Sequence, residues 1–140
     1  MIIMNAAEFR KSVESAIDIA NEKPVFIDRT GDSLMLASFP FLESLIGECA
    51  LTATRLIESD GSVTLALEEI DIAVNAPTTE EALTFLSKEL LEYAIDYYDR
   101  FPQWSIAPNR KDHIPYVVKI LLLKDIKKIE ELIKCQDGTS

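Results

Sequence analysis

Apolar side chains in this chain recur at two spacings, and the switching between them rules out an all-helical or an all-strand fold. Phe9, Val13, Ala16, Ile17 and Ala20 are separated by steps of 4, 3, 1 and 3, the spacing of one helix face. Just beyond, Val25 and Ile27 alternate with Phe26 and Asp28, the period of a strand. Local signals mark the joins. Asn5 followed three residues later by Glu8 reads as a capping box. Pro24 forbids continuation of the helix, and Thr30-Gly31-Asp32 is a turn. The opening therefore predicts a short apolar strand at Ile2–Met4 and a single helix from Asn5 to Asn21. A strand at Pro24–Asp28 and a returning strand at Ser33–Ala37 follow.

The rest of the chain keeps switching. Phe39–Ile46 reads as a short helix that Gly47 can cap. Residues 50–58 fit either a strand or the end of a longer helix, and Asp60-Gly61, a hairpin-type turn, favours the strand. Val63, Leu65 and Leu67 then alternate, as do Ile70, Ile72 and Val74 in the opposite phase. A slip of one residue turns every later side chain over, so a bulge or break is expected at Glu68-Glu69. Thr78 with Glu81 opens the longest helix, whose stripe is Leu83, Leu86, Leu90, Tyr93, Ala94 and Tyr97. Phe101-Pro102 ends it, and residues 102–112 read as a loop. Asp112 is expected to cap a helix that is apolar nearly all round from Val117 to Leu123. Asp125 is expected to cap a last helix with Ile126, Ile129, Leu132 and Ile133, leaving a polar tail from Gln136.

Charge narrows the possible partners. The 140 residues carry 24 acids against 14 bases, a formal net charge of −10, which argues against a protein that coats nucleic acid. The acid is concentrated: residues 60–103 hold 10 acidic and 2 basic side chains, whereas residues 1–29 hold 5 and 4. No apolar run approaches the roughly 20 residues that span a bilayer. The opening Met1-Ile2-Ile3-Met4 has no basic region of the kind that begins a signal peptide. A soluble cytoplasmic protein without a membrane partner is expected. Cys49 and Cys135 make no disulfide framework.

Motifs of catalysis are missing. There is one histidine, His113, and no HExxH, GxSxG or Walker-type loop. Cys49 lies in an apolar stretch and reads as a core residue. Glu68, Glu69 and Asp71 suggest a metal cluster, but neighbours on a strand face opposite sides, and an exposed acidic edge is the better reading. Tyr93, Tyr97, Tyr98 and Trp104 could stack bases, yet their helical spacing favours core packing. No enzyme activity, cofactor or metal is expected, with His113 the distant exception.

Two stretches resemble known antitoxins. Ile2-Ile3-Met4-Asn5-Ala6-Ala7-Glu8-Phe9-Arg10-Lys11, then Lys23-Pro24-Val25-Phe26-Ile27, Gly31 and Leu34-Met35-Leu36-Ala37-Ser38, resemble the Phd/YefM class of type II antitoxins. Phe9 departs from that pattern, where a small residue is usual. Val63 to Glu92, with Thr78-Thr79-Glu80-Glu81-Ala82, resembles the strand-then-helix of HicB-like antitoxins. The resemblance implies an α+β chain with a β-α-β-β dimerisation and DNA-binding module at residues 1–48. It implies a folded strand-plus-helix module at 49–136, with a frayed tail at 137–140. It implies a homodimer that represses its own operon and neutralises a small basic, RelE-like, RNA-cleaving toxin. An orphan regulator or adaptor without a toxin is the alternative.

Under that reading Asn5, Arg10 and Lys11 face operator DNA. The helix opening at Asn5 offers its positive end, and both cations lie off the apolar stripe. Glu68, Glu69, Asp71, Glu89, Glu92 and Asp96 then complement the toxin.

Overall fold

A computed structural model describes residues 3–138, and within them the chain is α+β with two separate sheets. Met1, and Ile2 at the start of the expected first strand, lie outside the described residues, as do Thr139 and Ser140 of the expected tail. The chain divides into two compact units, Met1–Gly47 and Glu48–Ser140.

The first unit runs β1 (Ile3–Asn5), α1 (Ala6–Lys11), α2 (Val13–Ala20), β2 (Val25–Arg29), β3 (Asp32–Leu36) and α3 (Phe39–Ile46). Its sheet has the order β1-β2-β3, with β1 parallel and β3 antiparallel to β2. Gly31, at φ +83°, supplies the left-handed residue that the β2–β3 turn needs. Where one helix was expected there are two. Ser12 leaves helical geometry at φ −127°, ψ 37°. Its N–H reaches Glu8 O at 3.0 Å and Phe9 O at 3.2 Å, while its own carbonyl accepts from Ala16 N at 2.9 Å. The break rotates the second segment. Ala16 and Ala20 are buried, but Val13 and Ile17, expected on the same face, are exposed. The small core joins Ala20, Val25 and Ile27, flanked by Met4, Phe9, Ile19 and Leu36.

The second unit runs β4 (Leu51–Ile57), β5 (Val63–Leu67), β6 (Ala73–Ala76), α4 (Thr79–Asp99), α5 (Phe101–Trp104), a 3₁₀ turn (Lys111–His113), α6 (Ile114–Leu123), α7 (Ile126–Leu132) and β7 (Ile133–Asp137). Residues 50–58 thus resolve to a strand. The sheet order is β6-β5-β4-β7, with β7 parallel to β4 and the other pairs antiparallel. Leu51, Ala53, Val63, Leu65 and Leu67 point inward at alternate positions and meet Ala82, Leu86, Leu90, Ala94 and Tyr97 of α4. Val117 and Ile120 of α6 and Ile129 of α7 complete this core. Leu121 and Leu123 of α6 are only half-buried, so the helix is less enclosed than its composition implies.

The expected break after Leu67 is present and longer than Glu68-Glu69: residues 68–72 lie outside the strands, Ile70 and Ile72 with them, and Ile72 N donates to Ile70 O at 2.7 Å. Three further expectations are corrected here. The expected 102–112 loop contains α5 and the start of the 3₁₀ turn, because backbone groups left free at the end of α4 bond locally, as in Trp104 N to Arg100 O at 3.0 Å. Asp112 caps nothing; it lies inside that turn, and His113 occupies the N-cap position of α6 with no side-chain cap bond. Ile133 ends helical geometry and begins β7, which carries Gln136 and Asp137 into the sheet where a polar tail was expected. Among the described residues no helix is long and apolar enough to cross a membrane.

Candidate functional site

The residues expected at DNA lie at opposite ends of one short helix. Asn5 is the N-cap of α1, its Oδ1 accepting from Glu8 N at 2.8 Å and its amide donating to Glu8 Oε1 at 3.0 Å. That bond engages one of the donors a helix start would offer to phosphate, and α1 is only 6 residues long. Arg10 and Lys11 occupy the last turn, and both are exposed. Across the sheet, Ile3 pairs with Phe26 and Phe26 with Met35, so the three share one face. They are 47%, 36% and 42% exposed, an apolar row that the unit's own helices leave open to solvent.

The six expected acids separate into two groups. Glu89, Glu92 and Asp96 are exposed along α4 at positions that share a face, and none forms an ion pair among the described residues. Glu68, Glu69 and Asp71 occupy the β5–β6 connection and not a strand edge, and each is placed differently. Glu68 Oε1 accepts from Gln136 Nε2 of β7 at 2.7 Å. Half-buried Glu69 accepts the backbone N–H of Thr52 at 2.7 Å, which completes a donor of β4 that the ladder leaves free. Asp71 is exposed and lines a small cavity.

That cavity was not anticipated. It has a volume of about 150 Å³ and is lined by Ile70, Asp71, Tyr93, Asn109, Arg110 and His113. Its wall is an aromatic cluster at the end of α4. Tyr93 stacks on Trp104 with centroids 5.8 Å apart, and Tyr97 meets Phe101 and Trp104 edge-on. Tyr97 is buried and donates its hydroxyl to Arg110 O at 2.9 Å, which holds the loop against the helix. The Arg110 guanidinium lies 3.7 Å from the centre of the Trp104 ring, and its Nη1 is buried without a hydrogen-bond partner. His113 Nδ1 is 2.6 Å from the Tyr93 hydroxyl. Burial, then the Arg110 charge, hold the His113 pKa below its ordinary value, with Asp112 opposing. Burial likewise raises the Tyr93 hydroxyl.

The aromatic side chains expected to pack do so, except Tyr98, which is 66% exposed. Cys49 is half-buried at φ +43°, and burial raises its thiol pKa, the opposite of an activated nucleophile. The readable trace of the cavity was Tyr93 and Tyr97 four apart, Trp104 beyond the helix end, and Arg110 in the following loop. Nothing in that spacing told which ring the arginine would cover.

Comparison with known proteins gives one family and one structure. Residues 1–135 match the Phd-like family model, described as an antitoxin of toxin–antitoxin, RelE/RelB, TA system. The fold is similar to a crystal structure of the antitoxin part of a presumed toxin/antitoxin system from Syntrophomonas wolfei subsp. wolfei. The two share 30% identity, covering 99% of this chain and 100% of that one, at a TM-score of 0.88. No curated protein matches the chain. The match over nearly the whole length, carried through both units, establishes that this chain belongs to the Phd-like family of antitoxins of toxin–antitoxin systems.

Proposed function

We propose that the chain dimerises through its first unit, binds its own operator with Arg10 and Lys11, and neutralises a small basic, RelE-like, RNA-cleaving toxin with its second unit. The first unit, whose order is β-α-α-β-β-α and not the expected β-α-β-β, takes the role of a Phd/YefM-like module. The observation that carries the reading is the exposed row of Ile3, Phe26 and Met35 on a unit with so small a core. A second copy laid on that row would bury it and would double the cations at the DNA, suiting a palindromic operator. The exposed acids Glu89, Glu92 and Asp96 supply a field of the right sign for a basic partner.

The test is co-expression with a small basic protein encoded beside it, followed by purification at low and high salt. A complex that forms at low salt, and whose association rate falls steeply with salt, supports the toxin assignment. If no neighbouring product binds while the chain still shifts operator DNA, it is an orphan regulator.

A further inference from the structure

We propose that the outward side of α4 seats one basic amphipathic helix of the toxin, laid along it. The occupant's identity rests on the reading of the second unit as the toxin-binding part. Phe85, Lys88, Glu92, Ile95 and Asp99 follow one another at steps of 3, 4, 3 and 4, so they form a single seam down α4. That seam lies opposite the buried stripe of Leu86, Leu90, Ala94 and Tyr97, and all five of its residues are exposed. Phe85 is 53% and Ile95 47% exposed, and Tyr98, three residues past Ile95, is open beside them. Open space of about 510 Å³ adjoins the Phe85 ring, lined also by Glu80, Glu81, Thr84 and Lys88. Large apolar side chains ringed by polar ones are the make-up of a docking surface.

Charge decides what lies there. Glu80, Glu81, Glu89, Glu92, Asp96 and Asp99 are exposed on α4, and none forms an ion pair among the described residues. Lys88 is the one cation of the helix. A second copy of α4 would set acid against acid, so this side is built against self-pairing and for a basic partner. Glu92 stands between the two apolar anchors of the seam, and a polar residue within such a seam fixes register by requiring its own partner. Phe85 and Ile95 are about 15 Å apart along the axis, at about 1.5 Å per residue. The occupant is therefore a helix of about four turns, with apolar side chains near its ends and Lys or Arg at its centre. Its apolar ends supply affinity, and its cations supply the rate of encounter.

The full chain is tested by biolayer interferometry against two probes. One is the small basic protein encoded beside it. The other is a synthetic four-turn helical peptide with Leu near both ends and Lys at its centre, with a scrambled peptide of the same composition as control. Phe85→Gln with Ile95→Gln keeps the charge and the helix propensity of α4. That double variant should release the neighbouring protein roughly tenfold faster or more, with circular dichroism unchanged. Glu92→Gln should mainly slow association. The wild-type chain should bind the ordered peptide and not the scrambled one, and the double variant should bind neither. A neighbouring protein held equally by the wild type and the double variant overturns the proposal, while the toxin reading stands with its surface elsewhere. If the neighbouring protein does not bind but the ordered peptide is held through Phe85 and Ile95, the toxin reading fails and the seam stands as a seat for a basic helix. Equal binding of the ordered and scrambled peptides, or no binding of either probe, overturns the proposal.

Discussion

His113, Gly138 and Arg55 show how the surroundings of one residue set its weight. His113 is held below its ordinary pKa of 6.5 by burial and by Arg110, so the unfolded chain takes up a proton more readily than the folded one. Its contribution to stability is complete above the unfolded value and is lost as pH falls through 6.5 towards the depressed folded value. The thermal stability of the second unit should therefore fall as pH is lowered from about 7 to 5, and His113→Gln should flatten that slope over the same range. Gly138 has no room for a side chain: a Cβ there would come within 2.5 Å of Leu56 Cδ2, 2.9 Å of Thr54 Cγ2 and 3.2 Å of Arg55 O. Gly138→Ala is expected to destabilise by about 1–3 kcal/mol, read from the shift of a urea midpoint. The nearby Arg55–Asp137 pair is largely exposed on its acidic side, so Asp137→Asn should cost less than about 1 kcal/mol. Equal effects of the two substitutions would mean that the ion pair, and not close packing, holds the end of β7.

At the scale of elements, the caps and turns were the most readable part of the sequence. Thr78 accepts from Glu81 N at 3.2 Å, Asp125 from Lys127 N at 2.9 Å, and Gly47 donates to Glu43 O at 3.0 Å, each where the residue type demanded it. Thr78→Ala should cost about 1 kcal/mol by the loss of one such bond, measured in the same denaturant series. Three features escaped, each for its own reason. Ser12 breaks the first helix even though the apolar spacing runs through it unbroken. Ile133-Lys134-Cys135-Gln136-Asp137 is too polar to announce a strand, and becomes one because β4 presents an open edge beside it. Arg110 was visible as a cation, but its stacking on Trp104 exists only once α5 and the 3₁₀ turn bring the loop back to α4.

For the whole molecule, the proposed function assigns different work to the two units, in line with the uneven charge distribution. Phe26→Asp, at the centre of the apolar row, should convert a dimer to a monomer in sedimentation while the second unit keeps its own melting transition. Persistence of the dimer would move the interface elsewhere. Arg10→Ala with Lys11→Ala should weaken operator binding and reduce its salt slope by about 1 for each phosphate no longer neutralised. A gel shift unchanged at several salt concentrations would remove those residues from the DNA surface. Reversing Glu89, Glu92 and Asp96 to lysine should slow toxin association by roughly tenfold or more at low salt with a smaller effect on dissociation. The family was legible in the first 38 residues, whereas the acidic residues were legible only as charge. Glu69 shows why: its carboxylate serves the backbone of Thr52, and no sequence pattern separates such an acid from one that awaits a partner.

The parallel pairing of β7 with β4 also sets a timetable. Arg55 and Asp137 are bonded across 82 positions of chain, so the inner strand β4 keeps one edge open until the ribosome has delivered β7. At about 5–20 residues per second that interval lasts roughly 4–16 s. The first unit, whose sheet closes within residues 3–36, is free to fold during it. If the first unit dimerises and binds DNA as proposed, a nascent chain would be able to do both before its second unit is complete. Under the proposed function, repression would then begin earlier in the life of the molecule than neutralisation.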